Sequence, residues 1–268
     1  MTWQDKVVFV TGASAGIGEA VAREAVAQGA RVVLAARRKG RVEALARELG
    51  DDRALGVACD VTRDGELEAA VERARVFGPL DAMIANAGFG VGGRFEKLTL
   101  DDYRRQFETN VFGVVRSVQA ALPDLRATRG AVGIVGSANG YVSIPGWSAY
   151  CMSKHAVRSF AECIRHELSR EGISVTHLAP GFVESEFRRV DNQSALREEL
   201  EDPIPRWLRM PAAKAAKKIL AAVAARVPEA VITGHAKIAV SASRHAPRLV
   251  SAALGVGRHV VSDLSKRA

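Results

Sequence analysis

The stretch KVVFVTGASAGIG, residues 6–18, decides the fold. Lys6 to Thr11 is a short β-branched run that reads as a strand. Gly12, Gly16 and Gly18 follow in the spacing G-x-x-x-G-x-G, and helical periodicity runs from Gly16 to Gln28. Glycine permits a tight turn and lets backbone N–H groups come close to an anion. The helix behind the turn directs its positive end at the same point. A plain strand-to-helix turn has the same outline. The motif takes its weight from its position, directly after the first strand and directly before a helix.

Working outward, RVVLA (31–35), ALGVAC (54–59), DAMIA (81–85), AVGIV (131–135), SVTHL (174–178) and AVIT (230–233) read as further strands. Helical patterns lie at 41–49, 64–76, 101–122, 150–170 and 212–225. The strands are continuously apolar, as in a parallel sheet covered on both faces. Strand–helix alternation with right-handed crossovers predicts an α/β fold. Its core is a Rossmann-type doubly wound, mostly parallel sheet of seven strands, with helices on both faces and a C-terminal helical tail. One domain is expected over 1–268. Within it, 183–211, with Pro203, Pro205 and Pro211, is a substrate-side loop region, and 235–268 is a basic helical tail.

Apolar residues at 48% and charged residues at 25% exclude disordered and collagen-like classes. Cys59, Cys151 and Cys163 form no C-x-x-C pair, and the six histidines fall in no metal spacing. A disulfide framework and a metal site are therefore not expected, and a reducing compartment is. MTWQDKVVFV lacks the features of a signal peptide, and no apolar run approaches the ~20 residues of a membrane span. A soluble, cytoplasmic protein is expected.

The net charge of +8 is unevenly placed. Residues 203–268 hold 12 Lys/Arg against two acids, Glu229 and Asp263, whereas residues 1–202 hold 26 against 28. In the tail, Leu249, Val250, Ala253, Leu254, Val260, Val261 and Leu264 keep rough helical spacing beside Arg244, Arg248, Arg258, Lys266 and Arg267. Such a helix either docks on the body or a second subunit, or makes a weak peripheral contact with an anionic membrane surface. Nucleic-acid binding is not expected, because no reading motif accompanies the charge.

The second strand ends at Ala36 and continues Arg37-Arg38-Lys39. A dinucleotide site for NAD would carry an acid there for the ribose 2′-hydroxyl. A guanidinium fork suits a 2′-phosphate instead. NADP(H) is therefore the expected cofactor and NAD(H) the second choice. Arg37 is assigned as the main 2′-phosphate contact, helped by Arg38 and Ser14. A solvated basic helix start would look the same locally.

Tyr150-Cys-Met-Ser-Lys154 places a phenol and an ammonium at i, i+4 on one helix face, with Ser137 thirteen positions earlier. A phenol titrates near ~10. A neighbouring cation favours the phenolate, so the pair is a candidate general acid/base. Ser137 follows the strand 131–135, at the sheet edge where ligands bind. Trp147 reads equally as pocket or core. His155 reads as helix packing. Phe89, Phe95 and Phe182 near the mouth point to an apolar substrate.

With these residues together, the chain resembles the short-chain dehydrogenase/reductase family, in its shorter branch, over residues 5–185. TGASAGIG matches the family's cofactor turn, which implies contacts from Gly12, Ser14, Ala15, Gly16, Ile17 and Gly18. Asp60-Val61 matches the adenine contact. Asn86-Ala87-Gly88 matches the motif that stabilises the sheet under the cofactor. Pro180-Gly181 matches the turn beside the nicotinamide, with Val183 and Ser185 after it. Ser185 stands where the family usually has threonine, and Ala15 where many NADP members carry a basic residue. Asn110, Ser137, Tyr150 and Lys154 match the four catalytic positions.

The resemblance implies that Ser137 orients the substrate oxygen and that Tyr150 gives or takes its proton. It implies that Lys154 binds the nicotinamide ribose and lowers the tyrosine pKa, and that Asn110 holds a water linking the lysine to solvent. It also implies a homodimer or homotetramer pairing through helices near 101–122 and 150–170. A non-catalytic dinucleotide sensor on the same fold would be expected to lack the Tyr–Lys pair. A nucleotide-sugar epimerase of the longer branch would be expected to show a differently spaced glycine turn and a larger C-terminal domain.

Overall fold

The computed structural model describes residues 1–197 and 202–256. Seven strands form one sheet in the order β3-β2-β1-β4-β5-β6-β7, and every pair is parallel. They are β1 (Val7–Thr11), β2 (Arg31–Ala36), β3 (Ala54–Ala58), β4 (Ala82–Ala85), β5 (Ala131–Val135), β6 (Ser174–Ala179) and β7 (Glu229–Val231). Helices α1 (Gly16–Ala27), α2 (Lys39–Leu49) and α7 (Ala212–Ala224) bury apolar stripes on one face. Helices α3 (Glu66–Ala74), α5 (Gly113–Thr128) and α6 (Ser148–Ser169) cover the other. The expected doubly wound architecture is therefore what the chain adopts.

The chain proceeds outward from β1 to β3 on one side and from β4 to β7 on the other. The connections after β1 and β4 thus leave in opposite directions and open a crevice at the carboxyl edge. Thr11 and Asn86 hold that edge together. The Thr11 hydroxyl accepts the backbone N–H groups of Asn86 (2.9 Å) and Ala87 (3.0 Å), and Asn86 Nδ2 donates to the Thr11 carbonyl (2.9 Å).

Two elements differ from the periodic reading. The helix expected over 101–122 is split into α4 (Leu100–Phe107), a π turn (Glu108–Phe112) and α5. The π turn inserts a residue that period counting passes over, and it carries the buried Asn110. Helix α5 also runs through Pro123 to Thr128. The bond lost at Pro123 is outweighed because the next turn is anchored: Asp124 accepts the Leu80 N–H (3.2 Å), and Leu125 is fully buried.

The tail is not a free helix at its start. Helix α8 (Gly234–His245) packs Ala236 and Val240 against Ala138, Tyr141 and Ala179. Ser243 donates to the Tyr141 carbonyl (2.8 Å), and Arg244 pairs with Glu229 (2.8 Å). Helix α9 (Pro247–Val256) follows. Arg258, Val260, Val261, Leu264, Lys266 and Arg267 lie outside the described residues. Among the described residues, no helix is long and apolar enough to cross a membrane, and no cluster of three or more His, Cys, Asp or Glu side chains has metal-binding geometry.

Candidate active site

A cleft of about 880 Å³ opens along the carboxyl edge. Most of the residues singled out from the sequence line it: Gly12, Ser14, Ala15, Gly16, Ile17, Arg37, Arg38, Asp60, Val61, Asn86, Ala87, Gly88, Ser137, Tyr150, Lys154, Pro180, Gly181, Val183 and Ser185. Gly18 and Asn110 lie beneath the wall. A Cβ on Gly18 would sit 2.4 Å from the Gly12 carbonyl oxygen, so this glycine serves helix-to-strand packing.

Gly12 (φ 67°) and Gly16 (φ 59°) take the left-handed backbone that the turn requires. Ala15 caps α1 without a side-chain hydrogen bond, so no side chain competes for the first-turn N–H groups. That leaves the donor set an anion needs at a helix start. At the end of the cleft beside β2, Arg37 Nη2 reaches Ser194 Oγ (2.7 Å) and Arg38 Nε reaches Ser14 Oγ (3.0 Å). Asp60 accepts from the Thr62 N–H (3.0 Å) and hydroxyl (2.8 Å), which fixes the turn after β3. A glycine turn with an uncapped helix start behind it is the chemistry a dinucleotide's pyrophosphate calls for, and the residues fit a nicotinamide dinucleotide.

Ser137, Tyr150 and Lys154 meet at the centre of the cleft, and all three are buried. Ser137 follows β5 and caps a short 3-10 turn, accepting the Asn139 N–H (3.1 Å). Tyr150 and Lys154 come from the first two turns of α6, with Lys154 Nζ 5.7 Å from the phenol ring centroid. The ammonium donates to the Val135 carbonyl (3.0 Å).

Burial pushes the Tyr150 phenol up to about 12 against a hydrogen bond from Ser137, and pushes Lys154 down to about 8. Desolvation of the phenolate is the largest influence on Tyr150, and no lowering by Lys154 stands beside it. Tyr150 holds its proton at neutral pH, which suits proton donation to a developing alkoxide.

Asn110 is fully buried. Its Oδ1 accepts the Phe89 N–H, and its Nδ2 donates to the Phe89 carbonyl and to Ser153 Oγ. Its side chain braces the wall. Ser185 accepts the Phe187 N–H (3.4 Å), and a Cβ on Gly16 would come within 2.8 Å of its Cβ. It lies against the glycine turn.

Around Tyr150 the wall is aromatic. Trp147 is edge-on to its ring at 5.8 Å, and Phe187 is tilted at 5.3 Å. Trp147 is therefore both buried and pocket-lining. Phe89 and Phe182 line the same cleft, whereas Phe95 does not and is exposed.

Three residues of the site were passed over in the sequence. Phe187 had only its aromatic character to suggest it. His235, at the start of α8, accepts the Phe182 N–H through Nε2 (2.9 Å) and stacks on the Phe182 ring at 4.9 Å. It thereby fixes the turn after Pro180-Gly181. Glu186 pairs with Arg38 and Arg41 at the end of the cleft beside β2.

Comparison with known proteins agrees with this geometry. Residues 6–195 match the family described as short chain dehydrogenase. The chain is 39% identical over 190 residues to dehydrogenase/reductase SDR family member 7B of Bos taurus, covering 67% of this chain and 58% of that one. It is 38% identical over 189 residues to 11-beta-hydroxysteroid dehydrogenase 1A of Arabidopsis thaliana, covering 68% of this chain and 53% of that one. The matched region therefore spans little more than half the length of these relatives. Among solved structures, an alcohol dehydrogenase of Thermococcus sibiricus complexed with 5-hydroxy-NADP superposes with a TM-score of 0.75 at 28% identity, covering 84% of this chain and 95% of that one. The glycine turn, the Ser–Tyr–Lys cluster and the matched length place this chain in the short-chain dehydrogenase/reductase family.

Proposed function

We propose that this protein is an NADP(H)-dependent oxidoreductase that interconverts an apolar alcohol with its ketone or aldehyde. The observation that carries the reading is the convergence of Ser137, Tyr150 and Lys154 beside the uncapped start of α1. A bound nicotinamide dinucleotide supplies or accepts the hydride. Tyr150 gives its phenolic proton to the substrate oxygen during reduction and removes it during oxidation. Ser137 hydrogen-bonds that oxygen and orients it. Lys154, held by the Val135 carbonyl, holds the nicotinamide ribose and balances charge near the phenol. Asn110 positions this machinery from below.

Arg37, Arg38 and Ser14 would hold the 2′-phosphate. Ala15, Gly16 and Ile17 would cradle the pyrophosphate, and Asp60-Val61 the adenine. Ala87-Gly88, Pro180-Gly181, Val183 and Ser185 would border the ribose and nicotinamide. The aromatic wall of Phe89, Trp147, Phe182 and Phe187 favours an apolar substrate, and the hydroxysteroid dehydrogenase among the relatives supports that class. One domain carries both sites. Exposed Phe112 and Met152 on the α4–α6 side support self-pairing there. The basic residues from Lys237 onward support a weak contact with anionic lipid by an otherwise cytoplasmic protein.

A turnover screen over steroids, medium-chain alcohols, sugars and quinones with NADP(H) and NAD(H), run beside Tyr150→Phe, tests the reading. Turnover that requires Tyr150 is expected. Turnover undiminished in Tyr150→Phe would overturn it.

A further inference from the structure

Glu186 occupies a place that a nucleotide phosphate would also seek. Its carboxylate takes Arg38 Nη1 at 2.7 Å and Arg41 Nη1 at 2.8 and 3.0 Å. Arg38 is held at its other edge by Ser14 Oγ (3.0 Å). Two guanidinium groups thus converge on one anion, which arrives from a segment 148 residues away from Arg38 in sequence. Burial alone would raise this carboxyl, but the hydrogen bonds and charges of Arg38 and Arg41 hold it below the usual carboxylate range. It is an anion at neutral pH.

A guanidinium fork binds a carboxylate and a phosphate with the same edge. Two anions on one fork repel, so only one is held at a time. We infer that Glu186 is an internal occupant of the 2′-phosphate subsite and thereby a determinant of cofactor choice. A 2′-phosphate that takes the Arg38 fork displaces Glu186 from it, whereas a dinucleotide with a free 2′-hydroxyl leaves the pair with Arg38 and Arg41 closed. The inference rests on the dinucleotide site proposed above, and it assigns that site a built-in competitor.

The displacement has a second consequence. Glu186 opens the 3-10 turn Glu186–Arg189, whose next residue is Phe187. The Phe187 ring packs 5.3 Å from Tyr150 and blocks the space above Gly90, where a Cβ would meet it at 2.7 Å. Release of Glu186 frees the root of this segment, so the 2′-phosphate is felt at the substrate side of Tyr150. A free 2′-hydroxyl carries no such signal.

Binding to the full chain tests this without turnover. Affinities of NADPH, NADH, adenosine 2′,5′-bisphosphate and AMP are measured for the wild type and Glu186→Gln. The substitution removes the charge at nearly constant size, and Glu186→Ala serves as a second variant. Removing the competitor should tighten NADPH and the bisphosphate about tenfold and leave NADH and AMP within about twofold. NADPH and bisphosphate affinities that stay unchanged or weaken in both variants overturn the inference, because Glu186 is then only a loop anchor. Weakened NADH binding also overturns it, because Glu186 then serves the ribose hydroxyl.

The two readings fail separately. If the wild type binds both cofactors equally and Glu186→Gln gains NADPH preference, the competitor is real and the native NADP preference is not. If the wild type prefers NADPH and the variants do not change the ratio, the preference stands and the competitor falls. Absence of NADPH binding in every variant overturns both.

Discussion

Asn110 holds Phe89 by both of its backbone polar groups. Oδ1 accepts the Phe89 N–H at 3.1 Å, and Nδ2 donates to the Phe89 carbonyl at 2.9 Å. The same Nδ2 reaches Ser153 Oγ, whose hydroxyl donates to the Tyr150 carbonyl at 2.7 Å. One buried carboxamide therefore ties the cleft wall after β4 to the helix turn that carries Tyr150. Asn110→Leu keeps the branched shape in a somewhat larger side chain but leaves the Phe89 N–H buried and without this acceptor. An unsatisfied buried donor costs about 1–3 kcal/mol. Urea unfolding of the variant should show a loss of that size, and turnover should fall with it. Wild-type stability in Asn110→Leu would contradict the brace.

Removing one hydroxyl separates chemistry from binding. Tyr150→Phe keeps the buried ring between Trp147 and Phe187. Fluorescence titration should therefore find cofactor affinity near that of the wild type. Turnover should fall by at least about a hundredfold, the usual scale of a positioned proton donor. A near-normal rate on a good substrate would remove Tyr150 from the mechanism.

Burial of Lys154 makes a pH signature. Its folded value of about 8 lies below its ordinary value of 10.5. Between these two pH values the unfolded chain binds the extra proton, so this residue makes stability rise with pH across that window. The same contribution is lost as pH falls through about 8. Lys154→Met, which keeps the length without the charge, should flatten that part of the stability curve. Parallel wild-type and variant curves from pH 8 to 10.5 would show that the ammonium is not desolvated.

What could be read in the sequence was local. The turn Gly12–Gly18 and the pair Tyr150–Lys154 lie within single strand–helix or helix-turn units, where spacing along the chain is spacing in space. Ser137 could be placed because strand ends converge on one sheet edge. Glu186 and His235 could not, since their partners lie 148 and 53 residues away and meet only once the sheet is wound. The π turn escaped for a different reason. Hydrophobic periodicity averages over a helix, and one inserted residue at Glu108–Phe112 shifts the register without breaking the pattern. The burial that raises Tyr150 could not be read either, because a sequence shows the lysine neighbour and not the desolvation.

His235 makes the turn after Gly181 acid-sensitive. Its Nε2 accepts the Phe182 N–H, so that nitrogen must be unprotonated. Burial first, and then the charge of Arg188, lower its pKa below 6.5, which preserves the acceptor at neutral pH. Protonation at acid pH turns the acceptor into a donor and opposes the bond. KM for substrate should rise as pH falls below the ordinary histidine range, and His235→Gln, which retains an acceptor, should weaken that dependence. The same acid limb in His235→Gln would assign the effect elsewhere.

The C-terminal region divides into two parts with different expected roles. Helix α8 is docked: Ala236 and Val240 are buried against Tyr141, and His235 lines the cleft. A chain ending at Gly234 should therefore lose cofactor affinity and thermal stability, because it uncovers Tyr141 and frees the turn at Phe182. A chain ending at Ala246 keeps all these contacts and loses Arg248, Arg258, Lys266 and Arg267, along with the exposed Leu249. It should fold and bind cofactor as the full chain does. Polybasic segments gain about 1 kcal/mol per Lys or Arg near anionic lipid, and salt screens that gain. Co-sedimentation with phosphatidylserine vesicles should accordingly be seen for the full chain at low salt, should vanish at high salt, and should be absent for the chain ending at Ala246. Equal sedimentation of both chains would place the basic contact on the folded body, and none for either would leave α9 as a packing element alone.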